Sequence, residues 1–149
     1  MVTVRLAAPS EAATLHAIAR EAYQHYVPRI GREPAPMSAD YAAAVRGGQT
    51  WVAVDQGQVI GFVALVARPD HLLLENLAVR PSRQGRGAGS RLLALAEDEA
   101  RRLRLSEIRL YTNEAMTENL AYYPRHGYAE THRAEQDGFR RVFFRKHLA

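Results

Sequence analysis

A run of small residues, Gln84-Gly85-Arg86-Gly87-Ala88-Gly89, separates an apolar stretch ending at Val79 from a long amphipathic segment beginning at Ser90. Strand, glycine loop and helix in that order build an anion site. Glycines let the backbone turn tightly and approach a ligand without a Cβ in the way. The first amides of the following helix have no intrahelical partner, and the helix dipole adds to their attraction for phosphate oxygens. A helix start whose glycines bind nothing is the plain alternative.

Two other phosphate-loop motifs do not fit the letters. A Walker A loop requires Gly-Lys followed by Ser or Thr, but the single lysine of this chain, Lys146, lies far downstream. The dinucleotide fingerprint places its third glycine three positions after the second, whereas Gly85, Gly87 and Gly89 alternate and Ser90 occupies the expected place.

At 149 residues, 47% of them apolar, the chain is long enough for one well-buried domain, 1–149, and too short to suggest two. The absence of cysteine removes disulfides, thiolate metal sites and a cysteine nucleophile. The first residues, Met1-Val2-Thr3-Val4-Arg5, carry neither a basic leader nor a long apolar core, and no stretch reaches the roughly 18 apolar residues of a membrane helix, so a cytoplasmic protein with no membrane partner is expected. The +4 formal charge is spread among interleaved acidic residues without an aromatic-basic stripe, which argues against nucleic acid. Basic residues do gather beside the glycine loop, where Arg80, Arg83, Arg86 and Arg91 could meet a polyphosphate or simply form a solvated rim. The histidines show no metal spacing and no Gly-x-Ser-x-Gly elbow occurs, so no metal site is expected.

Along the chain, Val2 to Leu6 reads as a strand and Pro9 to Ala22 as a helix. Four helix-breaking residues between Val27 and Met37 predict irregular backbone, after which Ser38 can cap a helix to about Arg46. Trp51 to Val54 and Val59 to Val66 form a predicted hairpin, and Leu72 to Val79 a third strand. The helix from Ser90 to Arg104 places Leu92, Ala96, Ala100 and Leu103 on one face. Ile108 to Tyr111 is a strand, Met116 to His126 a helix kinked at Pro124, and Gly127 to Ala134 a strand. The turn Asp137-Gly138 precedes a final strand with apolar residues on both faces.

Two polar intrusions stand out. Glu75-Asn76 interrupts the apolar Leu72 to Val79 run; a bulged strand lining a cleft explains the pair, and a strand edge reaching solvent explains it equally well. Asn119 and Tyr123 are four residues apart, hence on one helical face, where an aromatic is more often core than functional.

The order of these pieces resembles the GNAT N-acetyltransferase superfamily. The resemblance rests on the Leu72 to Val79 strand, Gln84-x-x-Gly87-x-Gly89, a long helix, a strand, and Tyr123-x-x-x-Gly127-Tyr128. It implies an α/β (α+β) fold: a mixed, mostly antiparallel sheet of about six to seven strands flanked by about four helices. It also implies acetyl-CoA as donor, with the pyrophosphate on Gln84, Gly85, Arg86, Gly87, Ala88, Gly89 and Ser90 and the pantetheine beside Leu77, Ala78 and Val79. Direct transfer to a primary amine of a small molecule would use Glu75 as general base and Tyr123 to protonate the departing thiolate. Acetylation of a protein or peptide amine, or a non-catalytic acyl-CoA-binding module, is the alternative. Met116 stands where the family often has asparagine, so Asn119 or Asn113 becomes the substitute donor contact, and a kink at Pro124 would turn Tyr122 rather than Tyr123 to the sulfur. The family meets its acceptor with the segment between the first helices, which makes Arg29 and Arg32 candidate acceptor contacts. Dimers are common in the family, and the final strand is the candidate surface for a homodimer.

Overall fold

The computed structural model describes the whole chain, Met1–Ala149. Seven strands form one sheet: β1 (Thr3–Leu6), β2 (Thr50–Asp55), β3 (Gln58–Ala67), β4 (Leu72–Val79), β5 (Glu107–Asn113), β6 (Ala129–Gln136) and β7 (Phe139–His147). Their spatial order is β1-β2-β3-β4-β5-β7-β6. Every neighbouring pair is antiparallel except β4 with β5. That parallel pair joins only at Leu72↔Ile108 and Leu73↔Arg109, after which the strands part.

Each face of the sheet has its own core. Helix α4 (Ala88–Arg102) lays Leu92, Leu93, Ala96 and Ala100 against Ile60, Val63, Leu74 and Ile108. On the opposite face α1 (Ala12–Tyr23) and α3 (Tyr41–Arg46) cover Val52, Phe62 and Ala78. Successive strand residues point to opposite faces, which is why Val63 and Phe62 belong to different cores. In β4 that alternation is reset by a bulge: Ala64 pairs with Asn76 but Leu65 with Leu74, leaving Glu75 as the extra residue. Leu72 and Leu74 therefore share the α4 face with Leu77 and Val79, while Ala78 turns to α1.

The turn segments refine the sequence reading. The stretch 27–37 is not wholly irregular: Val27–Ile30 makes a single helical turn, α2, with Pro28 in its first turn and Gly31 closing it at φ 87°, and Ala35–Ser38 makes a 3-10 turn. Proline is tolerated there because the first amides of a helix are unpaired anyway. Asp40, not Ser38, caps α3, accepting from the Ala43 amide at 3.0 Å. Helix α4 begins at Ala88, so the last two loop residues already form its first turn. Helix α5 (Thr117–Arg125) runs through Pro124 to its end, because the proline falls in the final turn where little ladder remains to break.

The final strand is not a free surface. β7 lies inside the sheet between β5 and β6, Val142 and Phe144 sit in the α4 core, and the Phe143 ring is stacked by His132 at 4.3 Å. The edge strand β6 is instead polar and exposed on both faces, a composition that discourages edge-to-edge pairing. No helix is long and apolar enough to cross a membrane.

The α1 face depends on Phe62, which is fully buried with its ring edge-on to Tyr41 at 5.3 Å. Phe62→Ala should cost about 3–5 kcal/mol. In thermal unfolding that is a fall of roughly 6–20 °C at 2–4 °C per kcal/mol; a loss under about 1 kcal/mol would contradict the packing described.

Candidate active site

The gap between the diverging ends of β4 and β5 exposes backbone that no strand pairs. The Arg80 amide donates to Ile60 O at 2.8 Å, toward β3, so strand alternation turns the peptide groups of Leu77 and Val79 the other way, into the gap. Their carbonyls find partners: Leu77 O accepts from the Tyr23 hydroxyl at 3.0 Å, and Val79 O from Gln84 Nε2 at 3.3 Å. No acceptor in the chain meets the Leu77 or Val79 amide from this side.

The glycine loop continues the row. After the 3-10 turn Pro81–Arg83, Gly85 and Gly87 adopt φ of 81° and 86°, and Gly87 precedes α4 without a side-chain cap. The amides from Gly85 to Ser90 make no hydrogen bond within the protein; the first amide of α4 with an intrahelical bond is Arg91, to Gly87 O at 3.0 Å. Six consecutive unpartnered N–H groups at a helix N-terminus form an anion cradle. Arg86 and Arg91 stand exposed beside it without an ion pair, whereas Arg80 is engaged by Glu21 and Val59 O, and Arg83 by Gln58 and Asp55.

A cavity of about 360 Å³ runs from this loop along β4, lined by Leu77, Ala78, Val79, Gln84, Gly85 and Gly89 on one side and by Asn119 and Tyr122 of α5 on the other. Tyr122 lies directly against the loop, since a Cβ at Gly89 would come within 2.5 Å of its hydroxyl. A second cavity of about 160 Å³ opens on the far side of the gap, lined by Glu75, Asn76, Tyr111, Asn113 and Arg141 among others. Tyr23, Leu77, Asn119 and Tyr123 line both. The two spaces meet there.

Tyr123 is held at this junction by its own backbone. Its carbonyl accepts from the amides of His126 at 2.9 Å and Tyr128 at 3.1 Å, while Gly127, at φ 89°, donates to Pro124 O at 3.1 Å. This is the left-handed glycine closure of a helix, and it is the physical content of the Tyr123-x-x-x-Gly127-Tyr128 spacing. The ring is buried, edge-on to Tyr122 and Tyr128, and its hydroxyl makes no hydrogen bond within the protein. Burial, reinforced by the neighbouring tyrosines with Tyr23 foremost, pushes its ionisation well above the usual phenol range. It is a proton donor at neutral pH.

Glu75, freed by the bulge, is exposed and has neither a hydrogen bond nor an ion pair. Asn119 donates to Thr112 Oγ1 at 3.1 Å and faces both cavities, while Asn113 is occupied in the β5–α5 turn, accepting from the Ala115 amide at 2.8 Å. Arg29 and Arg32 line neither cavity. Arg29 pairs with Glu118 at 2.6 Å and lies over Tyr26, bridging α2 to α5, and Arg32 stacks on Phe139 at 3.7 Å while donating to Asp137 O. Sequence reasoning missed Tyr23 and Arg141. The only local sign of Arg141 was an arginine on the same strand face as Phe139 and Phe143.

The profile of the acetyltransferase (GNAT) family matches residues 13–128. The chain belongs to that family. No curated protein sequence matches it. Among solved structures, the GCN5-related N-acetyltransferase of Rhodopseudomonas palustris is 25% identical, with 98% of this chain and 95% of that one covered at a TM-score of 0.79. The yncA protein of Salmonella typhimurium, solved with its cofactor acetyl-CoA, is 21% identical over 100% of this chain and 95% of its own, TM-score 0.77. The ribosomal-protein-S18-alanine N-acetyltransferase of Escherichia coli is 17% identical over 100% and 95%, TM-score 0.76. The fold of this GNAT chain is thus shared with an enzyme whose acceptor is a ribosomal protein, and no cluster of three or more His, Asp or Glu side chains suited to a metal occurs in it.

The Arg29 bridge has a pH signature. Its hydrogen bond holds the Glu118 carboxyl down to about 2, against about 4.3 when unfolded. A depressed carboxylate contributes stability above the unfolded value, and that contribution is lost as pH falls toward the folded one. Glu118 is half exposed, so Glu118→Gln should lower stability at neutral pH by under about 1 kcal/mol. In acid titrations of unfolding, the difference from the parent should narrow below about pH 4; a difference that stays constant to pH 2 would show that the pair is not its source.

Proposed function

We propose that this protein is an acetyl-CoA-dependent N-acetyltransferase that moves the acetyl group directly to a primary amine of a small molecule within a ternary complex. The observation that carries the reading is the meeting of two cavities at Tyr123, one leading to an anion cradle and the other to an unpaired carboxylate. Family membership and the acetyl-CoA-bound relative support the donor. The larger cavity then takes the pantetheine beside Leu77, Ala78 and Val79, with Asn119 and Tyr122 along its other wall, and the amides from Gly85 to Ser90 take the pyrophosphate. The size of the second cavity favours a small acceptor head: a space of about 150 Å³ holds a molecule the size of benzene.

The chemistry distributes over groups already in reach. The acceptor arrives as an ammonium and must lose a proton before its nitrogen can attack; Glu75, directly or through a water, takes it. The nitrogen forms its bond to the acetyl carbon, and the amide of Leu77 or Val79 stabilises charge on the thioester oxygen. As the carbon–sulfur bond breaks, Tyr123 gives its proton to the thiolate. Neutral Tyr123, unbonded at the junction, suits that part better than Tyr122, which lies against Gly89.

Thermal shift and free-thiol release test this together. Acetyl-CoA and CoA should raise the midpoint, by about 2.7 kcal/mol of stabilisation at 100 times Kd, while NAD and an oligonucleotide leave it unmoved. Tyr123→Phe should slow turnover about 10- to 100-fold with acetyl-CoA affinity retained, and Glu75→Gln about 100-fold or more. An unaltered rate in Tyr123→Phe would move the acid role to Tyr122 or water, and the absence of any shift with either CoA species would overturn the proposal.

A further inference from the structure

The smaller cavity contains two charged side chains of opposite sign, Glu75 and Arg141, and every other residue lining it is neutral. Arg141 is unusual for an arginine in being 7% exposed. It comes from β7, whose position beside β5 brings its guanidinium over the Tyr111 ring at 4.3 Å, with Phe139 at 5.6 Å on the same strand. These contacts fix the plane of the group without neutralising it. Its one hydrogen bond runs from Nη1 to the neutral Gln136 Oε1 at 2.6 Å. Its only anionic neighbour, Asp137, is 3.7 Å away with a side chain 79% exposed, a loose pair in solvent. Nε and Nη2 make no hydrogen bond within the protein.

A buried guanidinium lacking a close carboxylate is costly, and an arginine offers a planar fork matched to carboxylate geometry. Each feature points to a ligand that brings its own anion. The opposite charge of Glu75 in the same cavity supplies the other half of the argument. A ligand with one cation and one anion meets both groups and leaves the cavity electrically balanced. A single arginine with no second cation in the lining suits one negative charge better than the two of a phosphate.

We infer that the acceptor is a small amino acid or related amino carboxylate, its ammonium at Glu75 and its carboxylate on the Nε and Nη2 edge of Arg141. This rests on the acetyl-transfer reading above and adds to it the chemical class of the substrate. A peptide or protein N-terminus carries an amide where an amino acid carries that carboxylate, so Arg141 selects against such chains as well as against simple alkylamines.

The test is free-thiol release from acetyl-CoA with matched acceptors: amino acids, their carboxamides, the decarboxylated amines and the corresponding aminophosphonates. The parent enzyme should prefer acid over amide by about 10- to 100-fold in kcat/KM. Arg141→Gln should reduce that ratio to within about threefold, mainly through KM for the acid, and Arg141→Lys should restore part of it because the charge returns. The ratio is internal to each variant, so loss of folded protein does not imitate the effect. Arg145→Gln, an exposed change on the same strand, should keep the parental ratio. Equal rates on acid and amide, or a preference for the phosphonate, would overturn this inference while leaving acetyl transfer intact. Thiol release with no primary amine of any kind would contradict both.

Discussion

β4 and β5 pair for two residues and then part, and the rest of the site is a consequence of how that unpaired backbone is satisfied. Each strand has committed its other edge, β4 to β3 and β5 to β7, so neither can close the gap by shifting sideways. Buried peptide groups left without partners cost about as much as lost hydrogen bonds. The chain meets half of that demand itself, through the Tyr23 hydroxyl on Leu77 O and the Gln84 amide on Val79 O. What remains is a set of donors, the gap-facing amides of β4 followed by the row from Gly85 to Ser90. A cleft that has satisfied its acceptors and kept its donors is a cleft for an anionic, carbonyl-bearing ligand, which describes an acyl-CoA.

The bulge at Glu75 performs two tasks in one residue. It resets the side-chain phase of β4, so that Leu77 and Val79 after it return to the α4 face shared by Leu72 and Leu74 before it, while Ala78 turns to the α1 core. It also frees a carboxylate from the apolar run at the point where the strands separate. Tyr123 arrives from the opposite wall, its position set by the helix closure at Gly127 rather than by any hydrogen bond of its own. The proposed acid and base thus come from different elements, one from a strand irregularity and one from a helix end. The space between them is where the acetyl group would change partners.

The parts of this arrangement that sequence reading captures are those with local causes. The glycine loop, the amphipathic α4 and the hairpin of β2 and β3 are all written within a few neighbouring residues, whereas Glu75-Asn76 alone fits a bulge and a solvent-reaching edge equally well. What escapes is what topology brings together. Arg141 lies 30 positions from Tyr111 and meets it only because β7 inserts between β5 and β6. Tyr23 lies 54 positions from the carbonyl it caps. The prolines between Val27 and Met37 suggest irregular backbone because proline breaks helix interiors, yet in a one-turn helix there is no interior to break. Arg29 looks like a substrate contact when its loop is considered alone; the pairing with Glu118 emerges only once α5 is folded against it.

The central claim is that the unpaired amides of the cleft are the donor site. Amide proton and nitrogen shifts of the uniformly labelled protein, followed through a titration with acetyl-CoA, test it residue by residue. The account predicts that the largest changes fall on Gly85 through Ser90 and on Leu77 and Val79, with the amides of β6 unmoved. Acetyl-CoA binding that leaves the Gly85–Ser90 row in place and perturbs a different face would contradict it.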